Sequence, residues 1–138
     1  MSLVASFPDG LAILGWRRLI LTAAAFAITP ALMGALLLLL AHLFGPGFLG
    51  VNPLQMEGFA TFAAISPMIT LPMWAVIAVG SAGLLKTGFL GSLPAAVLGC
   101  LAFGLLARTE IGLIAMPFGA VSALLYRMAL SLQRPEAF

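Results

Sequence analysis

The chain has 138 residues, 63% hydrophobic and 7% charged, with a mean hydropathy of +1.21 and a formal charge of +2. Soluble domains carry roughly 25% charged residues, and a chain this small leaves much of its surface exposed, so a water-soluble globule is excluded and lipid is expected to cover the apolar surface. The six cations and four acids form no basic run interleaved with aromatics, which argues against a nucleic-acid partner, and a single cysteine (Cys100) with a single histidine (His42) makes neither an intramolecular disulfide nor a zinc site of about four ligands.

Residues 1–16 contain Pro8-Asp9-Gly10 followed by an apolar stretch ending in Trp16. They read as an interfacial lead-in, with Trp16 in the inner aromatic belt. This start does not resemble a secretory signal. Its positive pair, Arg17 and Arg18, comes late, and the apolar run behind it exceeds the roughly 7–15 residues of a signal core. A twin-arginine signal is matched only in the two arginines.

Charges punctuate the rest. Between Arg18 and Glu57, Glu57 and Lys86, Lys86 and Arg108, and Glu110 and Arg127 lie charge-free apolar runs. Each is close to or above the length of a membrane span, about 20 apolar residues. Backbone groups in hydrocarbon must pair within their own segment, so helices are expected. The spacing predicts spans over residues 19–43, 59–85, 89–107 and 111–132. The first two are longer than a bilayer requires and the third is barely long enough. The segment 44–58 reads as an outer loop, rich in turn residues yet apolar. Lys86-Thr87-Gly88 and Arg108-Thr109-Glu110 read as tight turns that make consecutive helices antiparallel neighbours. Tyr126 is placed at the depth of Trp16, and Arg127 is expected to snorkel to the inner surface. No second domain or internal repeat is visible; 1–138 reads as one transmembrane domain.

With four spans and the amino terminus inside, Arg17, Arg18, Lys86, Arg127 and Arg134 fall inside and only Arg108 outside, the bias the positive-inside rule expects. The fold class is therefore an all-α integral membrane protein, four transmembrane helices in an antiparallel bundle, several kinked by proline. The expected location is a bacterial inner membrane with both termini cytoplasmic.

Every span holds proline: Pro30, Pro67 and Pro72, Pro94, and Pro117. Each removes a backbone donor, which either bends a helix or opens a site of the kind broken helices form in transporters. Ser66, Thr70, Trp74, Ile77 and Ser81 recur at spacings of three and four and share one helix face. Ser66, Thr70, Trp74 and Ser81 are the substrate-path candidates, beside the plainer reading of an internal packing face. Small residues recur at every fourth position: Ala23, Ala27, Ala31 and Ala35; Ala96, Cys100 and Gly104; Ala115, Gly119 and Ala123. Such stripes let helix backbones approach closely in lipid.

His42, Glu57, Arg108 and Glu110 are expected to gather at the outer rim. A His–Glu pair there suits acid–base work if within reach, and His42 also suits axial haem ligation, but a solvated rim is the ordinary reading. The sequence suggests no catalytic residues, no metal and no cofactor. The expected function is a non-catalytic accessory or assembly subunit of a larger membrane complex, with a small oligomeric transporter or channel as the alternative. The expected partners are membrane lipids and other membrane chains or further copies of this one.

Overall fold

The computed structural model describes residues 3–45, 50, 52–106 and 111–138. These are mainly helical, with no strand among the described residues. In chain order they form α1 (Gly10–Leu14), α2 (Trp16–Phe44), α3 (Pro53–Lys86), α4 (Ser92–Leu106), α5 (Ile111–Gln133) and a 3-10 turn at Pro135–Ala137. Three helices are long and apolar enough to cross a membrane: Trp16–Phe44, Pro53–Lys86 and, within α5, Ala115–Gln133. The α4 helix is apolar but has only 15 residues, about 22 Å at 1.5 Å per residue, short of the ~30 Å hydrocarbon core.

Several boundaries differ from those the charge pattern predicts, each for a local reason. The α2 helix begins at Trp16, directly after Gly15 breaks the chain from α1 with φ +80°. The α3 helix begins at Pro53 and absorbs residues 53–58 of the expected loop 44–58. Asn52 caps it: the Leu54 N–H donates to Asn52 Oδ1 at 3.0 Å and the Met56 N–H to the Asn52 carbonyl at 3.1 Å. Asparagine at the cap with proline at the first helical position is a favoured start. The expected Lys86-Thr87-Gly88 turn is present. The Phe89 N–H donates to Leu84 O and the Gly88 N–H to Leu85 O, the paired closure that needs a left-handed residue after the helix, and Gly88 supplies it at φ +75°. The residues after it do not enter α4 until Ser92, because Leu90 and Gly91 bond elsewhere.

The chain divides into two compact units, one built from residues up to Ala24 together with those from Pro72 on, the other from Ala25–Leu71.

In the first unit the fully buried large side chains are Leu19, Ile77, Leu85, Leu90, Tyr126 and Leu130. The α4 and α5 helices run side by side in opposite senses. Gly99 lies against Gly119, and Gly104, further along α4, against Met116, earlier in α5. A Cβ on Gly119 would collide with the Gly99 carbonyl oxygen and lie 2.8 Å from Phe103 Cβ; a Cβ on Gly99 would collide with the Gly119 carbonyl oxygen and lie 2.7 Å from Ala123 Cβ. The close approach expected near Gly119 is present and is made by Gly99, flanked by buried Ala95 and Ala102; of the expected α4 stripe Gly104 meets α5 at Met116, while Ala96 and Cys100 are half-buried. In so uniformly apolar a helix the sequence pattern leaves the phase of the stripe open.

The amino-terminal segment straps this unit. Ser6 N–H donates to Gly88 O at 2.8 Å, Gly91 N–H to Val4 O at 3.1 Å and Leu93 N–H to Leu3 O at 2.9 Å. Leu90 N–H donates to Ser6 Oγ at 3.1 Å. The segment also meets the end of the chain, where Phe7 N–H donates to Ala137 O at 3.3 Å. Residues 3–7 thus accept or donate where the start of α4 would otherwise leave polar groups unpaired.

In the second unit α2 and α3 approach at Gly34. A Cβ there would lie 2.5 Å from Ala60 O and 2.6 Å from Ala64 N. Ala27, Gly34 and Ala41 are buried at spacings of seven, the repeat of helices that wrap around each other. Of the stripe expected in this helix, Ala23 and Ala27 are buried while Ala31 is half-buried and Ala35 exposed.

Candidate functional site

Proline and polar side chains are coupled in this structure. Pro67 has no N–H to give the Ala63 carbonyl four residues earlier, and Ser66 Oγ donates to that carbonyl at 2.7 Å. Pro94, in the first turn of α4, likewise gives nothing to Leu90 O, and Arg127 Nε donates to it at 2.9 Å. In membrane helices such freed carbonyls are re-satisfied by side chains or neighbours. The α2, α3 and α5 helices accordingly run unbroken through Pro30, Pro67, Pro72 and Pro117.

Arg127 is only 3% exposed. It does not snorkel as expected: its Nε is fixed to the α4 entry and its guanidinium carbon lies 5.2 Å from the centre of the Phe138 ring, a cation–π distance. Tyr126 turns inward rather than joining an aromatic belt. Its hydroxyl donates to Leu19 O at 2.9 Å, and its ring meets Trp74 edge-on with centroids 5.8 Å apart. Gln133 Nε2 donates to Thr22 Oγ1 at 3.1 Å. Trp16, by contrast, is half exposed at the start of α2.

The substrate-path candidates divide between the units. In the second, Ser66 is buried and bonded to its own helix, and Thr70 Oγ1 is buried with no hydrogen-bond partner among the described residues. In the first, Trp74 and Ser81 are buried with Ile77. Met68 and Val79, off that face, are 83% and 65% exposed, which fits a face turned toward protein.

At the outer-rim candidate, His42 and Glu57 line one open cavity of about 460 Å³ in the second unit, with Leu38, Ala41, Gly45 and Thr61. Both are exposed, and neither takes part in an ion pair among the described residues. Arg108 and Glu110, the other members, lie outside the described residues. No group of three or more metal-binding side chains occurs among the described residues.

Sequence reasoning misses the polar knot formed by Ser6, Leu90 and Arg127. A partial signal is present, since Pro94 announces a spare carbonyl at Leu90, but the donor comes from a residue 37 positions away. Comparison with protein-family models, curated proteins and solved structures finds no match.

Proposed function

We propose that this chain is a non-catalytic accessory or assembly subunit of a larger membrane complex, crossing a bacterial inner membrane four times with both ends in the cytoplasm. One observation carries the reading. The α3 helix has 34 residues, about 51 Å long, against a hydrocarbon core of about 30 Å. Fitting a straight helix of that length inside the core would take a tilt of about 54°, beyond the range of roughly 0–40° that spans adopt. Yet the turn ahead of the span expected over 59–85 stays apolar and exposed at Leu54, 82%, and the span opens on Phe59, also exposed. Apolar side chains carried past the lipid need cover, and another membrane chain supplies it. The interior polar groups support the same reading: Ser66, Tyr126, Arg127 and Gln133 serve helix carbonyls or each other's helices rather than converging on a site.

The test is purification from the native membrane in a gentle detergent, followed by mass spectrometry of whatever accompanies the chain. A partner in fixed stoichiometry is expected, and a photo-crosslinker at position 59 should capture it. Recovery of this chain alone, with no crosslink from position 59, refutes the reading.

The alternative, a small oligomeric transporter or channel, is favoured by Thr70, whose buried hydroxyl finds no partner among the described residues in a helix with Pro67 and Pro72 in its interior. A transporter should move a solute when reconstituted by itself, and Thr70→Val should alter that flux.

A further inference from the structure

In the first unit, residues of α1, the start of α2 and the end of α3 line one open cavity of about 490 Å³: Asp9, Leu11, Ala12, Gly15, Trp16 and Lys86. Two opposite charges belong to it, and neither is used within the chain. Asp9 holds the position before α1 from which a carboxylate usually bonds helix N–H groups, yet its side chain makes no such bond. Lys86, the last residue of α3, is exposed, as is Asp9. Among the described residues neither takes part in an ion pair, with the other or elsewhere. The rest of the lining is apolar or aromatic, with Leu11, Ala12 and the half-exposed Trp16. The cavity also has a depth. Lys86 closes the apolar run of α3, and Arg17 and Arg18 follow Trp16 at the start of α2. It therefore opens where both apolar helices leave hydrocarbon, the level at which tryptophan collects.

We propose that this cavity seats the headgroup of one phosphatidylethanolamine molecule, its ammonium at Asp9, its phosphate at Lys86 and its glycerol end beside Trp16. Unlike charges that line one cavity without pairing call for a ligand carrying both signs a few atoms apart. Ethanolamine phosphate is such a group, and a bilayer presents it at this depth. Its ammonium donates N–H to the Asp9 carboxylate, and the Lys86 ammonium donates to its phosphate oxygens, both charge-assisted bonds. An anionic headgroup answers Lys86 and repels Asp9. A choline headgroup carries the same two charges, but its quaternary nitrogen has no N–H to donate. This lipid seat needs only that the helices cross a bilayer, so it stands or falls apart from the subunit reading.

The test uses the full chain in mild detergent, offered phosphatidylethanolamine and phosphatidylcholine in equal amounts and examined by native mass spectrometry. The two lipids have the same net charge, so only the N–H donors distinguish them at Asp9. One exposed ion pair should give phosphatidylethanolamine a preference of about two- to fivefold. Asparagine tolerates the left-handed backbone that Asp9 holds at φ +60°, so Asp9→Asn should fold as the parent does and lose the preference. Lys86→Gln, at an exposed helix end, should lower retention of both lipids, since both carry the phosphate, and leave their ratio in place. Equal retention of the two lipids by the parent, undiminished preference in Asp9→Asn, or undiminished retention in Lys86→Gln overturns the proposal. Displacement of phosphatidylethanolamine by millimolar phosphoethanolamine also overturns it, since the cavity would then read a soluble zwitterion and not a lipid.

Discussion

Two glycines set the tolerance of the α4–α5 contact. Because each Cβ position is occupied by the other residue's carbonyl, even Gly119→Ala forces backbone apart, and Gly119→Leu does so more. Overpacking of a dense interior costs about 1–3 kcal/mol or more, so a clear drop in melting temperature and folded yield in detergent is expected for both. Gly83 in α3 is the control: nothing lies within 4 Å of its Cβ position, and Gly83→Ala should leave the melt unchanged or raise it, as removing a helical glycine does. Tyr126→Phe deletes a buried hydroxyl from the Leu19 carbonyl, which also serves the ladder of α2, so a loss of only about 1 kcal/mol is expected in reversible unfolding. A Tyr126→Phe variant that melts lower than Gly119→Leu would show that the hydroxyl bridge, not the glycine contact, holds this unit.

At the scale of the element, the cap of α3 makes its own prediction. Asn52→Ala removes the acceptor for Leu54 N–H and should cost roughly 0.5–2 kcal/mol, read as faster hydrogen exchange at residues 54–57 with the rest of α3 unaffected. Uniform exchange along the helix in parent and variant would show that Asn52 does not set the boundary. Much of the element plan was legible from charge spacing, since charges are costly in lipid and mark where helices leave it. The start of α3 was also written in the sequence, as Asn52-Pro53, but an apolar segment of glycine and proline reads first as loop. The face of α4 was not legible: with nearly every residue apolar, periodicity carries no phase, and only contact with Gly119 distinguishes Gly99 from Cys100. The strap of residues 3–7 left no side-chain signature either, because it is held mainly through backbone N–H and carbonyl groups.

For the whole molecule, the apolar composition and helical class follow directly from a chain that is 63% hydrophobic, whereas the candidate site at the outer rim was legible only in part. His42 and Glu57 share a cavity because α2 and α3 carry them there; which side chains accompany them depends on packing that no local pattern encodes. The proposed orientation has its own test. A cysteine at position 52 should react with a membrane-impermeant thiol reagent added outside intact cells, and one at position 87 or 136 should not, because five of six cations lie on the inner side in that arrangement. Labelling of position 136 from outside would refute it.

The strap also sets an order of events during synthesis. Val4 and Ser6 leave the ribosome well ahead of their partners, since Gly88 and Gly91 follow more than eighty positions later, and the Ala137 carbonyl that Phe7 binds comes 130 positions after it. Closing contacts so far apart in sequence is slow. The earlier segment therefore waits for the later one, and Phe7 stays unpaired at its N–H until Ala137 has been made. A nascent chain halted before Ala137 should keep Phe7 open to protease, and synthesis past Ala137 should close it.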